Sequence, residues 1–223
     1  ASDVYKRQIN TLHSSIEYSS FPLLCEVLRR LRAEDITFHH IVKLAEPSFD
    51  EEGFSIDRLL TKLHTYKILL GTETIDHIQW MWRKDIQNDN HRLIAFNHKL
   101  SEIDTAFSRI KRAGHARYIA CFPYTPTFAD AALQLDNLDT LAVYWNPSEQ
   151  DYAPQMYAYT QNNKQIYTLR PFGAGQLTDT ACDDLLDFTF NTQQVTATIL
   201  TATQKPHIDR VLAYLHQRTQ YTG

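Results

Sequence analysis

The chain has 223 residues, 43% of them hydrophobic, and a formal net charge of −4 at neutral pH. This length and apolar content are typical of one folded domain with a sizeable core. The acidic balance disfavours a nucleic-acid partner, which needs a clustered positive surface, and the sequence contains no apolar run of the roughly 20 residues that cross a membrane. Three scattered cysteines without a CxxC pair, together with the lack of a signal peptide, predict a cytoplasmic protein with reduced thiols.

Residues 1–8 fit nothing that follows and resemble a translated adapter at the end of a metagenomic fragment. We therefore exclude them from the fold prediction and treat residues 9–223 as one domain. We also expect the natural N-terminus to have been lost.

Strand and helix patterns alternate along the rest of the chain. Strands are predicted over 9–15, 37–44, 74–82, 117–121, 140–144, 165–169 and 195–201. Helices are predicted over 21–32, between a Ser55 cap and Gly71, over 97–113, 127–135, 151–161 and 180–190, and from Pro206 onward. Alternation of this kind indicates repeated βα units around a parallel sheet.

Periodicity alone does not separate a barrel from an open doubly wound sheet. No GxGxxG follows any predicted strand, which weakens the dinucleotide-binding alternative. A closed barrel of this class has eight strands. If the fold is a (β/α)8 TIM barrel, seven predicted strands mean that its first βα unit is missing, which agrees with a lost N-terminus.

Two neighbouring units carry the first family resemblance. Residues 138–147 read Leu-Asp-Thr-Leu-Ala-Val-Tyr-Trp-Asn-Pro, and residues 166–175 read Ile-Tyr-Thr-Leu-Arg-Pro-Phe-Gly-Ala-Gly. The pair resembles the sixth and seventh βα units of the aldo/keto reductases. The resemblance extends over nearly the whole chain and implies a barrel that reduces a small-molecule carbonyl substrate, an aldehyde or a ketone, with NADPH.

The resemblance also implies two catalytic residues. Residues 13–18, His-Ser-Ser-Ile-Glu-Tyr, are similar to the family turn that carries the tyrosine acid, which places that acid at Tyr18. Lys43, at the end of the predicted second strand, matches the family lysine that lowers the pKa of the tyrosine. A cation within about 4–6 Å of a phenol favours its phenolate, so such a pair can deliver a proton to a developing alkoxide.

Four positions depart from the family pattern. His13 replaces the aspartate that pairs with the lysine, so Lys43 is expected to lack a carboxylate partner. Met81 replaces the histidine that orients the carbonyl, and a thioether is a poor hydrogen-bonding group. Phe122 and Ala142 stand where the family holds the nicotinamide amide through polar side chains.

The last two loops before helices contain the candidate cofactor-binding residues. The resemblance implies that Arg170, Phe172 and Gly175 form the loop on the pyrophosphate side. It places Thr201, Thr203 and Lys205 before the last helix, where the family binds the adenosine phosphate at a helix N-terminus. No metal site is predicted, because His39 and His40 are adjacent on a strand and point to opposite faces.

Two alternatives to a reductase stay open. A barrel of the same descent could act as a binding or nucleotide-sensing protein, which the changes at His13, Met81, Phe122 and Ala142 favour. Lys43 could instead form a Schiff base in lyase chemistry, because a desolvated lysine can become nucleophilic. The sequence leaves the substrate and the oligomeric state open.

Overall fold

The computed structural model describes residues 9–44, 48–177 and 181–221, so the adapter-like residues 1–8 lie outside the described part. Within it, strands and α-helices alternate in the order β1 Thr11–Ser14, α1 Phe21–Arg32, β2 His39–Lys43, α2 Ile56–Leu70, β3 Ile75–Met81, α3 Asp89–Arg112, β4 Ala116–Phe122, α4 Pro126–Ala132, β5 Thr140–Tyr144, α5 Ala153–Gln161, β6 Gln165–Leu169, α6 Cys182–Phe190, β7 Ala197–Ile199 and α7 Lys205–Tyr221. A short 3-10 turn, Gly173–Gly175, follows β6.

The seven strands are all parallel and pair in sequence order from β1 to β7. The hydroxyl of Tyr167 on β6 lies 2.8 Å from Nε2 of His77 on β3. Three strand spacings in a flat sheet would separate these backbones by about 14 Å, so curling of the sheet brings the two side chains together. The predicted (β/α) barrel with seven strands is therefore confirmed, and it is nearly closed. Among the described residues, β1 pairs only with β2, and β7 pairs only with β6.

Alternation along the strands divides the apolar residues between two cores. Val42, Ile78 and Leu141 face outward and pack under the helices in the larger core. Their neighbours Ile41 and Ala142 face inward and fill the barrel. Because side chains on a strand alternate with a period of two, this pattern also decides which polar residues enter the barrel.

Helix ends follow the predicted chemistry at α2. The Ser55 side chain accepts a hydrogen bond from the Arg58 backbone N–H, and Gly71 closes the helix in the left-handed conformation with φ of 62°. Both predictions are confirmed. A side chain at residue 71 would be doubly unfavourable, because a Cβ there would also collide with the Arg32 guanidinium.

The predicted start of the third helix was wrong. The helix begins at Asp89 rather than residue 97, and the Asn88 side chain caps it by accepting from the His91 N–H. Only the first turn is polar, because Leu93 and Phe96 continue the apolar stripe of Leu100 and Ile103 toward the N-terminus and pack into the core. Arg92 in this first turn is buried and donates to the backbone oxygens of Trp82 and Pro123, so tertiary contacts extend the helix.

Two predicted boundaries shift for simpler reasons. The last strand is Ala197–Ile199, shorter than predicted, because only these residues pair with β6. The helix predicted from residue 180 is described from Cys182, and residue 180 lies outside the described residues.

Candidate functional site

The C-terminal ends of the strands meet at one rim of the barrel, where the βα loops converge and where sites of this architecture form. The floor beneath this rim is apolar. It consists of Ile41, Met81, Phe122, Ala142 and Tyr167, with Tyr124, Tyr144, Leu169, Ala197 and Ile199 packed against them. A small ligand at the rim would therefore rest on a dry surface.

The two predicted catalytic residues come together on one side of this floor. Lys43 ends β2, and Tyr18 lies in the turn between β1 and α1. The Lys43 Nζ lies 5.3 Å from the centre of the Tyr18 ring. Lys43 also forms an ion pair of 3.0 Å with Oε2 of Glu17 in the same turn.

This ion pair corrects one prediction. Lys43 was expected to lack a carboxylate because His13 stands at the position of the family aspartate, and that expectation was wrong. The turn after β1 brings Glu17 over the end of β2, and Glu17 supplies the carboxylate from a different position.

Arg83 holds Glu17 in place. Its guanidinium donates to both carboxylate oxygens of Glu17, at 2.6 and 3.0 Å, and to the Leu44 backbone oxygen at 3.2 Å. Bidentate geometry of this kind fixes the carboxylate as well as attracting it. Hydrogen bonds from Arg83, and less strongly from Lys43, lower the pKa of Glu17 to about 2 although partial burial raises it.

Burial and the neighbouring charges act on the pKa of Tyr18 in opposite directions. Burial is the largest influence and raises the pKa of the Tyr18 phenol, and the charge of Glu17 raises it further. The Arg83 charge lowers it. The phenol is therefore fully protonated at neutral pH.

His13 lies inside the barrel next to this group. Its Nε2 is 3.0 Å from Oε1 of Gln79, and its ring centre is 6.2 Å from that of Tyr18. An amide oxygen accepts hydrogen bonds, so we assign the ring proton to Nε2. Burial lowers the pKa of His13, so the imidazole adds a neutral polar group rather than a charge to the barrel interior.

The other altered positions line the floor as predicted from their chemistry. Met81 is buried and contacts the Tyr124 hydroxyl at 3.7 Å through its sulfur. The Phe122 ring packs edge-on against Tyr124 and Tyr144. Ala142 is fully buried. These side chains offer a nicotinamide apolar contact and no strong hydrogen bond.

The loop after β6 places Arg170 at the rim. Its guanidinium lies 3.7 Å from the centre of the Tyr144 ring and 3.7 Å from a Glu149 carboxylate oxygen. The backbone oxygen of Arg170 accepts from Asn146 Nδ2 at 2.9 Å. With 45% of its side chain exposed, Arg170 can still meet a ligand.

The remaining predicted cofactor residues are distributed over two loops. Phe172 packs against the small cluster of Leu186, Val211 and Tyr214, so its ring supports the loop. Gly175 adopts φ of 84° with open space around its Cα. Thr201, Thr203 and Lys205 are exposed before and within the first turn of α7, and Lys205 pairs with Asp209 at 2.6 Å.

These residues fit the two ends of NADPH unequally. Arg170 is an exposed cation in the loop after β6, and Lys205 is an exposed cation in the first turn of α7, shortly after Thr201 and Thr203, and cations so placed suit phosphate groups. The fit at the nicotinamide end is limited to the apolar surfaces of Phe122 and Ala142. The residues present can therefore hold the phosphates of a dinucleotide and pack against its ring.

The described ranges, 9–44, 48–177 and 181–221, also bear on two other classes of site. They contain no group of three or more His, Cys, Asp or Glu residues arranged to hold a metal ion. His39 pairs with Asp76, while His40 is buried on the opposite face of β2. None of the helices described there combines the length and apolar character of a membrane-spanning segment.

The curled sheet of seven parallel strands and its polar rim define a (β/α) barrel with the fold of the aldo-keto reductases. A protein from Pseudomonas aeruginosa assigned to that family superposes with a TM-score of 0.72 at 18% identity, over 94% of this chain and 77% of its own. The holo form of an aldo-keto reductase from Bacillus halodurans gives 0.71 at 13% identity, over 92% and 76%. An aldo/keto reductase from Klebsiella pneumoniae in complex with NADP and acetate gives 0.63 at 15% identity, over 92% and 74%.

Similarity at these identities shows the fold. No protein-family model matches the sequence, and no curated protein matches it either. The polar residues of the rim must therefore be judged on their own geometry.

Sequence reasoning missed three residues of the site: Glu17, Arg83 and Gln79. Glu17 stands next to Tyr18 in the sequence, and that adjacency was the available signal. Arg83 follows β3 in a loop without a recognisable pattern, and Gln79 looks like any polar strand residue. Only the three-dimensional structure shows that they contact Glu17 and His13.

Proposed function

We propose that the chain reduces a small aldehyde or ketone with NADPH at the loop end of the barrel. Tyr18 acts as general acid and Lys43 as its electrostatic partner. The observation that carries the proposal is the meeting of Tyr18, Lys43 and Glu17 beside an apolar floor. A proton donor next to a fixed cation is the arrangement that a developing alkoxide requires.

The chain's own residues would deliver a proton to the carbonyl oxygen and stabilise the phenolate that remains. A reduced nicotinamide held against Phe122 and Ala142 would supply a hydride to the carbonyl carbon. As negative charge develops on the carbonyl oxygen, the Tyr18 O–H donates its proton to it. The Lys43 ammonium stabilises the resulting phenolate until water returns the proton. Glu17, fixed by Arg83, keeps the ammonium at the end of β2.

The cofactor would lie across the rim from Tyr18. Arg170 and the loop through Phe172 and Gly175 would bind the pyrophosphate. Thr201, Thr203 and Lys205 would bind the phosphate of the adenosine end. We place this activity in the cytoplasm, which the free thiols of Cys25, Cys121 and Cys182 support.

A second candidate is a barrel that binds a nucleotide without transferring hydride. The apolar side chains of Phe122 and Ala142 favour it, because nothing in them orients the nicotinamide amide. The raised pKa of Tyr18 also favours this second candidate, because a phenol with a higher pKa is a weaker proton donor. The Schiff-base alternative has less support, because the Lys43 amino group is engaged by the Glu17 carboxylate rather than presented to a ligand.

Two measurements separate the candidates. NADPH oxidation is followed at saturating 4-nitrobenzaldehyde, and the melting temperature is measured with and without NADPH. A reductase gives turnover and a raised melting temperature, and binding without turnover supports the second candidate. An unchanged melting temperature and no turnover overturn both.

Arg170→Gln tests the cofactor loop. It should weaken NADPH binding by about tenfold or more, in line with loss of a charge-assisted hydrogen bond. Arg112→Gln, an exposed arginine at the end of α3, serves as the matched control and should leave binding unchanged.

A further inference from the structure

Tyr124 occupies an unusual backbone position at the rim. It follows Phe122 and Pro123 at the end of β4 and has φ of 66°. This left-handed conformation is unfavourable for a residue with a side chain. Strained residues persist where surrounding contacts hold them, and they concentrate at functional sites.

The surrounding contacts hold the Tyr124 ring in one orientation. The ring meets Phe122 edge-on, with 5.0 Å between ring centres. The buried Arg92 guanidinium lies 6.0 Å from its centre. The phenol is thereby aimed across the apolar floor toward β3.

The hydroxyl group of Tyr124 contacts the sulfur of Met81. The Tyr124 Oη lies 3.7 Å from Sδ of Met81, the inward-facing last residue of β3. A thioether sulfur is a weak acceptor, so a ligand oxygen can replace it at little loss. The O–H is therefore available to a ligand resting on Met81.

Tyr124 and Tyr18 share one electrostatic environment. The charges of Arg83 and Glu17 influence the pKa of both phenols. Burial raises the pKa of Tyr124, so its hydroxyl keeps its proton at neutral pH and remains a hydrogen-bond donor. The Arg92 guanidinium lies 6.0 Å from the centre of the Tyr124 ring, against 5.3 Å between the Lys43 ammonium and the Tyr18 ring.

We propose that Tyr124 donates a hydrogen bond to the carbonyl oxygen of the substrate, while Tyr18 transfers the proton. The inference rests on the proposed function in taking the ligand to be a carbonyl compound. The loop after β4 thus supplies, through Tyr124, the hydrogen-bond donor that Met81 at the end of β3 does not provide. Tyr124 is then a catalytic residue that orients and polarises the carbonyl without changing its own protonation state.

Tyr124→Phe removes the hydroxyl group but keeps the ring contacts, and phenylalanine must adopt the same left-handed backbone conformation. With NADPH and 4-nitrobenzaldehyde, kcat/KM should fall by about 10- to 100-fold, as for loss of one hydrogen bond to a developing charge. The pH profile should keep its shape, because the acid is still Tyr18. Tyr157→Phe, on the exposed face of α5, should leave kcat/KM unchanged.

Infrared difference spectroscopy tests the hydrogen bond without any turnover. The C=O stretch of 4-nitrobenzaldehyde bound to the wild-type protein should lie below that of the probe in an apolar solvent, and Tyr124→Phe should raise it. Met81→Leu should keep the lowered frequency, since the sulfur is only the resting partner of the hydroxyl.

The two proposals fail in different ways. A lowered frequency that depends on Tyr124, with no NADPH oxidation, supports this inference and overturns the reductase. Turnover with equal kcat/KM in wild type and Tyr124→Phe, or an unchanged frequency, overturns this inference and leaves the reductase standing. A wild-type protein that does not bind the probe contradicts both.

Discussion

Glu17 and Lys43 form an ion pair of 3.0 Å at the rim of the barrel, directly beside Tyr18. The carboxylate comes from the turn after β1, whereas His13 stands on β1 itself, in register with Ile41. The pair orients the lysine, but its negative member also acts on the tyrosine. The acidity of Tyr18 thus depends on burial and on the charges of Glu17 and Arg83, which act on its pKa in opposite directions.

Glu17→Gln should lower the pKa of Tyr18. The substitution removes a charge that raises this pKa and frees Lys43 to interact with the phenol. Ultraviolet titration of the phenolate measures the change, with Tyr18→Phe and the double variant identifying which tyrosine titrates. An unchanged or higher pKa in Glu17→Gln would contradict this assignment.

Tyr18→Phe should lower kcat for carbonyl reduction by roughly 10²–10⁴-fold, the usual range for loss of a general acid. NADPH affinity should change little, because the ring and its contact with Lys43 remain. Steady-state kinetics and cofactor titration report the two effects separately. Tyr157→Phe is the control, and turnover of Tyr18→Phe equal to that of the control would remove Tyr18 from the mechanism.

His77 should make the fold sensitive to mild acid. Burial is the main influence that lowers the pKa of His77 to about 4, against about 6.5 in an unfolded chain. The unfolded state therefore takes up a proton first, so stability is full above about pH 6.5 and falls as the pH drops toward 4. The loss between pH 7 and pH 4.5 is roughly 2–3 kcal/mol.

Urea unfolding at these two pH values measures the loss. His77→Gln removes the titrating group and should lose less stability over the same interval, although it disturbs the bond to Tyr167. The exposed His91→Gln should behave as the wild type. Equal losses in all three proteins would show that His77 does not titrate as inferred.

The edge strands should promote self-association. β1 and β7 each pair on one side among the described residues, and such edges can pair with another chain. Sedimentation velocity should show association that rises with protein concentration. Thr11→Lys, which adds charge at the β1 edge, should reduce it, whereas Thr61→Lys on the exposed face of α2 should not. A wild-type protein that stays monomeric at all concentrations would disprove the prediction.

Local patterns in the sequence predicted the architecture. Alternating apolar strands and amphipathic helices gave the βα order, and Ser55 and Gly71 marked the ends of α2. The placement of Tyr18 and Lys43 came instead from the family resemblance of the segments around them, and the structure brings the two side chains together. The signals for the strands, the helices and their caps lie within one element or in the succession of elements.

Tertiary structure alone decided the electrostatics of the site. Arg83 reaches Glu17 across 66 residues, and Tyr124 reaches Met81 across 43. Neither contact leaves a periodic trace, because each depends on how loops fold over the rim and how long side chains extend. Burial likewise sets the pKa of Tyr18 and His77, and burial is a property of the whole barrel. The sequence by itself thus determined the order of the βα units, because that signal is local, while the packed structure determined that the sheet curls into a barrel and which charges surround Tyr18 and Lys43.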